Sequence, residues 1–220
     1  MAKIIFQNDF FIIIDKPVGV LSVPSRLGEK DERPCAGLLL QSDLNKQIYP
    51  CHRLDFEVSG LLMFALEKDA HRVASRWFEQ GEIQKKYEAW TTGFAPSFTS
   101  DIWNSKLLRG KKRAYEAPHG KESITNVKFL GTTEKGHLRF ELEPVTGRSH
   151  QLRYELFKHE FPILGDTLYG SPYQVKEGIA LRSFEIDFSK CPERELLKLP
   201  LKVSVEGITF FDEVLGGRTA

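Results

Sequence analysis

The chain has 220 residues, 41% of them hydrophobic, with 31 lysines and arginines against 30 acids, enough to bury a core without staples. No apolar run approaches the ~20 residues of a bilayer-spanning helix, and a net charge of +1 neither selects nor excludes a polyanionic partner. Cys35, Cys51 and Cys191 lack the short spacing of zinc or redox motifs, so no metal site is expected.

Residues 1–14 carry one basic residue and the polar Gln7, Asn8 and Asp9, a poor signal peptide. A cytoplasmic location is expected, with no membrane association. Ile4–Phe6 and Phe10–Ile14 read as strands stopped by Asp15-Lys16-Pro17, with Gly19 close behind. Pro34 to Leu44 reads as a helix, with Leu38, Leu39 and Leu40 on its apolar face. Leu61–Leu66 is continuously apolar, as a strand buried on both faces would be. Asp69 is placed to cap a helix whose Ala70, Val73, Ala74 and Trp77 follow helical spacing and which ends near Gly81. Trp77 there is a core residue.

Lys85–Thr92 reads as a strand closed by Gly93, and Ser123–Leu130 with His137–Leu142 as a hairpin turned at Glu134-Lys135-Gly136. A short helix from Ser149 carries Leu152, Leu156 and Phe157 inward, and Phe184–Phe188 and Leu201–Val205 supply late strands. Strands that mostly follow one another, with few helices between them, indicate an α+β fold on a mixed, largely antiparallel sheet. One domain over 1–220 is expected. Lys106, Arg109, Lys111, Lys112 and Arg113 crowd a stretch that reads as a basic loop around Gly110.

Three polar clusters carry the candidate chemistry. His52-Arg53-Leu54-Asp55-Phe56-Glu57-Val58-Ser59-Gly60 leads into a buried strand, where polar groups must be paired or face a cleft. Thr146-Gly147-Arg148-Ser149-His150-Gln151-Leu152-Arg153 lies at a strand–helix junction, where backbone N–H groups favour an anion. Pro162-Ile163-Leu164-Gly165-Asp166-Thr167-Leu168-Tyr169-Gly170 has the chemistry of a rigid loop, in which Asp166 caps or turns the backbone. Taken alone, these residues define a cleft lined by Asp, Arg, His and Tyr, and leave Asp55 as an ion-pair partner of Arg53. They do not name a reaction.

Together with Lys16-Pro17-Val18-Gly19, Leu21-Ser22-Val23-Pro24 and Lys85-Lys86-Tyr87, these motifs stand in the order of one family. The chain resembles the RluA family of pseudouridine synthases over positions 3 to about 188. The resemblance implies the pseudouridine synthase fold, helices and loops flanking the sheet around a catalytic cleft, and isomerisation of uridine in RNA without cofactor or metal. It implies Asp55 as the catalytic carboxylate, Arg153 as its cationic partner, and Tyr87 as the aromatic residue that stacks on uracil. Leu152 packs under the base, and Arg53 enters the space left by the flipped nucleotide. His52, Arg148 and His150 join the substrate-binding set, and the basic stretch contacts phosphates. The implied partner is a stem-loop of tRNA, ribosomal RNA or both, bound by a monomer for which no protein partner and no N-terminal accessory RNA-binding domain are expected.

Two positions depart from the family pattern. Val58 stands for the usual threonine, and Leu181-Arg182-Ser183 for Leu-His-Ala. A non-catalytic RNA-binding module would be expected to lack Asp55 or Tyr87, and both are present. A retaining glycosidase also severs a glycosidic bond, but needs two carboxylates ~5 Å apart, and Glu57 falls at a position variable in the family.

Overall fold

The computed structural model describes residues 2–175 and 178–209. Its strands and helices, in chain order, are β1 (Lys3–Gln7), β2 (Phe11–Lys16), α1 (Ala36–Leu44), β3 (Tyr49–Pro50), β4 (Ser59–Ala65), α2 (Lys68–Gln80), β5 (Gln84–Thr91) and β6 (Ser100–Arg109). There follow β7 (Ala114–Glu116), β8 (Lys121–Thr132), β9 (Leu138–Pro144), α3 (Gln151–Lys158), β10 (Leu181–Asp187) and β11 (Lys202–Ser204). The architecture is α+β, as the order of elements predicts. Two compact units divide the described residues, the first running to Gln84 and adding Ser183–Val205, the second comprising Lys85–Arg182 and residues from Glu206.

In the first unit β2 lies between β1 and β4, antiparallel to both, in a register that sets Ile4 opposite Ile14 and Lys16 opposite Gly60. Every residue of β4 is buried, as its continuous apolar run requires. Phe11, Ile13, Leu61 and Met63 pack with Ala70, Ala74 and Trp77 of α2 and with Ile186, Phe188 and Leu199. Trp77 is fully buried, and its indole N–H donates to Glu193 at 2.9 Å.

Two helix expectations need correction. Asp69 does not cap α2, which starts at Lys68 after Glu67 without a side-chain cap; Asp69 instead pairs with Arg72 at 2.7 Å. That carboxylate still sits in the first turn, where the helix dipole favours it. The C-terminus falls as expected, on Gly81 in the left-handed conformation at φ 72. In α1 only Leu40 of the three leucines is buried, while Leu38 and Leu39 are exposed. The helix buries Ala36 and Gly37 instead, and Gly37 lets its first turn approach the backbone carbonyl of Ser22.

The second unit holds an antiparallel run in the order β5-β9-β8-β6-β7. The expected β8–β9 hairpin is present, its arms extended to Lys121–Thr132 and Leu138–Pro144. Strand β6 was not anticipated. It buries Trp103, Ser105 and Leu107 and turns Lys106 outward, so Lys106 and Arg109 belong to a strand, and only 110–113 form the turn into β7. The inward set of α3 also differs: Leu152 and Leu156 are buried, Phe157 is 39% exposed, and the polar Arg153 and Glu155 lie inside.

Candidate active site

In the first unit, Asp55 stands on the loop immediately ahead of β4, half-buried, with Arg53 exposed and Leu54 buried beside it. The loop is braced residue by residue. The Ser22 hydroxyl donates to the Leu54 carbonyl at 2.8 Å and accepts the Leu54 N–H at 3.0 Å. The Gly19 N–H donates to the Phe56 carbonyl at 3.0 Å, and the Val58 N–H closes a turn on the Asp55 carbonyl at 3.1 Å. Val58 is itself buried, and a valine there brings no hydroxyl needing a partner, so its departure from threonine suits the packing. Gly60 has φ +112, and a Cβ would fall 2.1 Å from the Ser183 carbonyl oxygen, so only glycine lets the two backbones meet.

Beneath this loop, Lys16 is fully buried at the end of β2, its ammonium donating to the carbonyls of Pro17 at 2.9 Å and Val20 at 2.8 Å. Burial pulls its pKa down to about 8, against the attraction of the Asp55 and Glu57 carboxylates. Lys16 thus places positive potential behind Asp55. The His52 ring lies tilted against Phe78 with centroids 5.1 Å apart, and its Nε2 accepts the Met63 N–H at 3.2 Å.

In the second unit the segment from Thr146 to Arg153 is organised by Gln151. Its carbonyl oxygen accepts the Thr146 hydroxyl at 2.8 Å and the Arg148 N–H at 2.9 Å, while its amide donates to the Ile124 carbonyl and the Thr125 hydroxyl. The Arg148 N–H is therefore spent on Gln151, and the Gln151 N–H turns back on the Arg148 carbonyl at 3.2 Å. Arg148 Nε also donates to the Glu122 carbonyl. His150 adopts φ 55 at the head of α3, its Nδ1 3.2 Å from the Tyr169 hydroxyl.

Arg153 and Asp166 form a two-point pair, Nε to Oδ2 at 2.7 Å and Nη2 to Oδ1 at 2.8 Å, with side chains only 2% and 1% exposed. The expected backbone-capping role of the Asp166 side chain gives way to this pairing. It is the backbone carbonyl of Asp166 that receives the Tyr169 and Ser171 N–H groups. The Tyr169 ring lies 5.3 Å from the Arg153 guanidinium carbon, and its hydroxyl accepts the Ala114 N–H at 2.7 Å. Burial pushes that hydroxyl up to about 12, so it stays protonated. Through Ala114 the basic β6–β7 turn is tied to the same group. The structure thus brings Arg153, His150, Asp166 and Tyr169 together, with Leu152 buried on the same helix.

Tyr87 is buried on β5, opposite Leu142 of β9. Burial pulls the Lys85 ammonium down to about 8. Glu88 points the other way along the strand, accepting from the Trp90 indole, from Arg139 and from the Ile208 N–H. Arg182 donates to the Glu206 carbonyl at 2.8 Å, so the departure from the family histidine takes part in holding the chain's late segment. Among the described residues no group of His, Cys, Asp and Glu is arranged to hold a metal. Sequence reasoning overlooked Ser22, Lys16 and Glu88; the first two lay inside quoted motifs, but nothing in a linear pattern marks their atoms as buried.

The fold is that of the pseudouridine synthases: human RNA pseudouridylate synthase domain containing 4 superposes with a TM-score of 0.73, at 22% identity, over 96% of this chain and 90% of that one. A family model described as RNA pseudouridylate synthase matches residues 10–158. The dual-specificity RNA pseudouridine synthase RluA of Escherichia coli (strain K12) is 36% identical over 175 residues, 77% of either chain. The tRNA pseudouridine synthase C of Haemophilus ducreyi is 35% identical over 184 residues, 78% of this chain and 75% of its own. The chain belongs to the RluA family of RNA pseudouridine synthases, which are isomerases.

Proposed function

We propose that Asp55 is the carboxylate that isomerises uridine in tRNA, ribosomal RNA or both, with Tyr87 and Arg153 acting in the same reaction. The observation that carries this reading is the His-Arg-Leu-Asp segment at 52–55, in family order with the other motifs of a chain that belongs to the family. The bracing of Leu54 and Phe56 and the positive charge of Lys16 support it, since a reacting carboxylate must be ionised and held.

The reaction breaks the N1–C1′ bond, turns the uracil and rejoins it through C5. Two routes suit a carboxylate: attack on C1′ as nucleophile, or removal of the C2′ proton to give a glycal. In either, the base must leave its stack, at a cost of a few kcal/mol. Arg53, exposed beside Asp55, is assigned to the vacated space, where a planar guanidinium stacks and hydrogen-bonds. Tyr87 stacks on the flipped uracil and Leu152 packs beneath it. Arg148, His150, His52 and the basic residues from Lys106 to Arg113 take the remaining RNA contacts.

RNA carrying tritium at uridine C5 releases it when C5 becomes the glycosidic carbon. Wild type is expected to release tritium from total tRNA or ribosomal RNA, and Asp55→Asn to be silent. A silent wild type would favour a non-catalytic RNA-binding module. Mapping pseudouridines in RNA from cells lacking the gene identifies the target.

A further inference from the structure

We propose that Ser22 is a positioning residue for Asp55, acting through the backbone of Leu54; the inference rests on Asp55 being the reacting carboxylate. Ser22 is 32 residues from Leu54 in sequence and buried, yet its hydroxyl both donates to the carbonyl and accepts from the N–H of this one neighbour of Asp55. A hydroxyl is suited to this because one oxygen both donates and accepts. On the other side, the Gly19 N–H holds the Phe56 carbonyl at 3.0 Å. The residues before and after Asp55 are thus tied through their backbones to one loop, 19–22.

That loop is itself fixed. The Lys16 ammonium spans the carbonyls of Pro17 and Val20. The Leu21 N–H donates to the Pro34 carbonyl at 2.9 Å, and the Ala36 N–H at the start of α1 donates to the Leu21 carbonyl at 2.8 Å. A Cβ on Gly37 would stand 3.2 Å from the Ser22 carbonyl oxygen, so helix α1 backs the serine closely. Beyond Asp55, the Phe56 ring lies 5.0 Å beneath the Arg33 guanidinium. The Ser22 hydroxyl is therefore the link that carries the order of β2 and α1 to the residue preceding the carboxylate. Near-attack geometry tolerates little error: a 1 Å misplacement costs on the order of 100-fold in rate.

Valine and threonine at position 22 add the same bulk and differ in the hydroxyl, so the pair isolates the bonds to Leu54. Tritium release from C5-labelled tRNA and ribosomal RNA is measured for wild type, Ser22→Thr, Ser22→Val, Ser22→Cys, Asp55→Asn and the core control Ile186→Val. Ser22→Val is expected to lower kcat on the order of 100-fold relative to Ser22→Thr, with KM for RNA changed by less than about threefold. Ile186→Val, which removes a buried methylene from the same unit, is expected to keep kcat even when its melting temperature matches that of Ser22→Val.

Equal kcat values for Ser22→Val and Ser22→Thr, or a loss confined to KM, would overturn the proposal. So would an equal kcat loss in the control at matched stability. If Ser22→Val does not fold, Ser22→Cys decides, since a thiol bonds more weakly: a kcat at the threonine level contradicts the proposal and a lower one supports it. An Asp55→Asn that releases tritium as wild type does would overturn the underlying assignment instead, whatever the serine variants do. A wild type silent on both RNAs would overturn both.

Discussion

Replacing Asp166 with asparagine removes a negative partner of the buried Arg153 guanidinium while nearly conserving shape. Arg153 and Asp166 are both almost fully inaccessible and meet through two hydrogen bonds at 2.7 and 2.8 Å. Taking one partner from such a buried pair is strongly destabilising, at a cost of about 3–5 kcal/mol. For a protein whose whole stability is of order 5–15 kcal/mol, that is a large share, and at this chain length it lowers the melting temperature by on the order of 10 °C. Urea unfolding followed by tryptophan fluorescence and far-ultraviolet circular dichroism reads it directly. The exposed Asp9–Lys198 pair is the control, and Asp9→Asn is expected to leave the midpoint unmoved. A loss below ~1 kcal/mol in Asp166→Asn would refute the argument that Asp166 is the anion holding Arg153.

Gly60→Ala should abolish soluble folded protein or cost more than about 3 kcal/mol, because the new Cβ meets the Ser183 carbonyl at 2.1 Å and φ is +112; a normal melting curve would contradict this. A pH series tests Lys16. Its folded pKa, near 8, lies below its ordinary 10.5, so between those values the unfolded chain binds the extra proton and stability rises with pH. The stabilisation is complete above the unfolded value and is lost as pH falls through about 8, and the full shift corresponds to ~3 kcal/mol. Lys85 adds in the same direction, while the thiols of Cys51 and Cys191, whose pKa values are raised by desolvation, oppose it above about pH 9. The urea midpoint should therefore rise from pH 7 to 9 in wild type and rise less in Lys16→Met. An equal rise in both would remove Lys16 from the account.

Strands β2 and β4 were legible because burial on both faces leaves no polar residue to interrupt the apolar run. Helix α2 was legible because one face alone is buried, which imposes a helical period. Strand β6 escaped notice for a physical reason. One of its inward positions is Ser105, which serves the buried carboxylate of Glu155 on α3 together with Ser123, and this breaks the apolar alternation that marks a strand. The leucines of α1 misled in the opposite sense, since two of the three face solvent.

At the site, the order of motifs was readable, but the role of single atoms was not. Lys16 looked like a turn residue, and its ammonium proves to be buried against two carbonyls. Asp166 looked like a loop cap, and its carboxylate binds an arginine 13 residues earlier. Such pairings depend on how a loop returns to a helix, and no local pattern records that.

The proposal that Asp55 carries the isomerisation can be tested on pseudouridine itself. Its most direct test is nucleoside analysis of RNA, taken from cells lacking the gene and incubated with wild type or Asp55→Asn. Pseudouridine has the mass of uridine but a carbon–carbon glycosidic bond, so it separates chromatographically and resists loss of the base on fragmentation. New pseudouridine is expected with wild type and none with Asp55→Asn at equal protein folding. Equal pseudouridine from both proteins would contradict it.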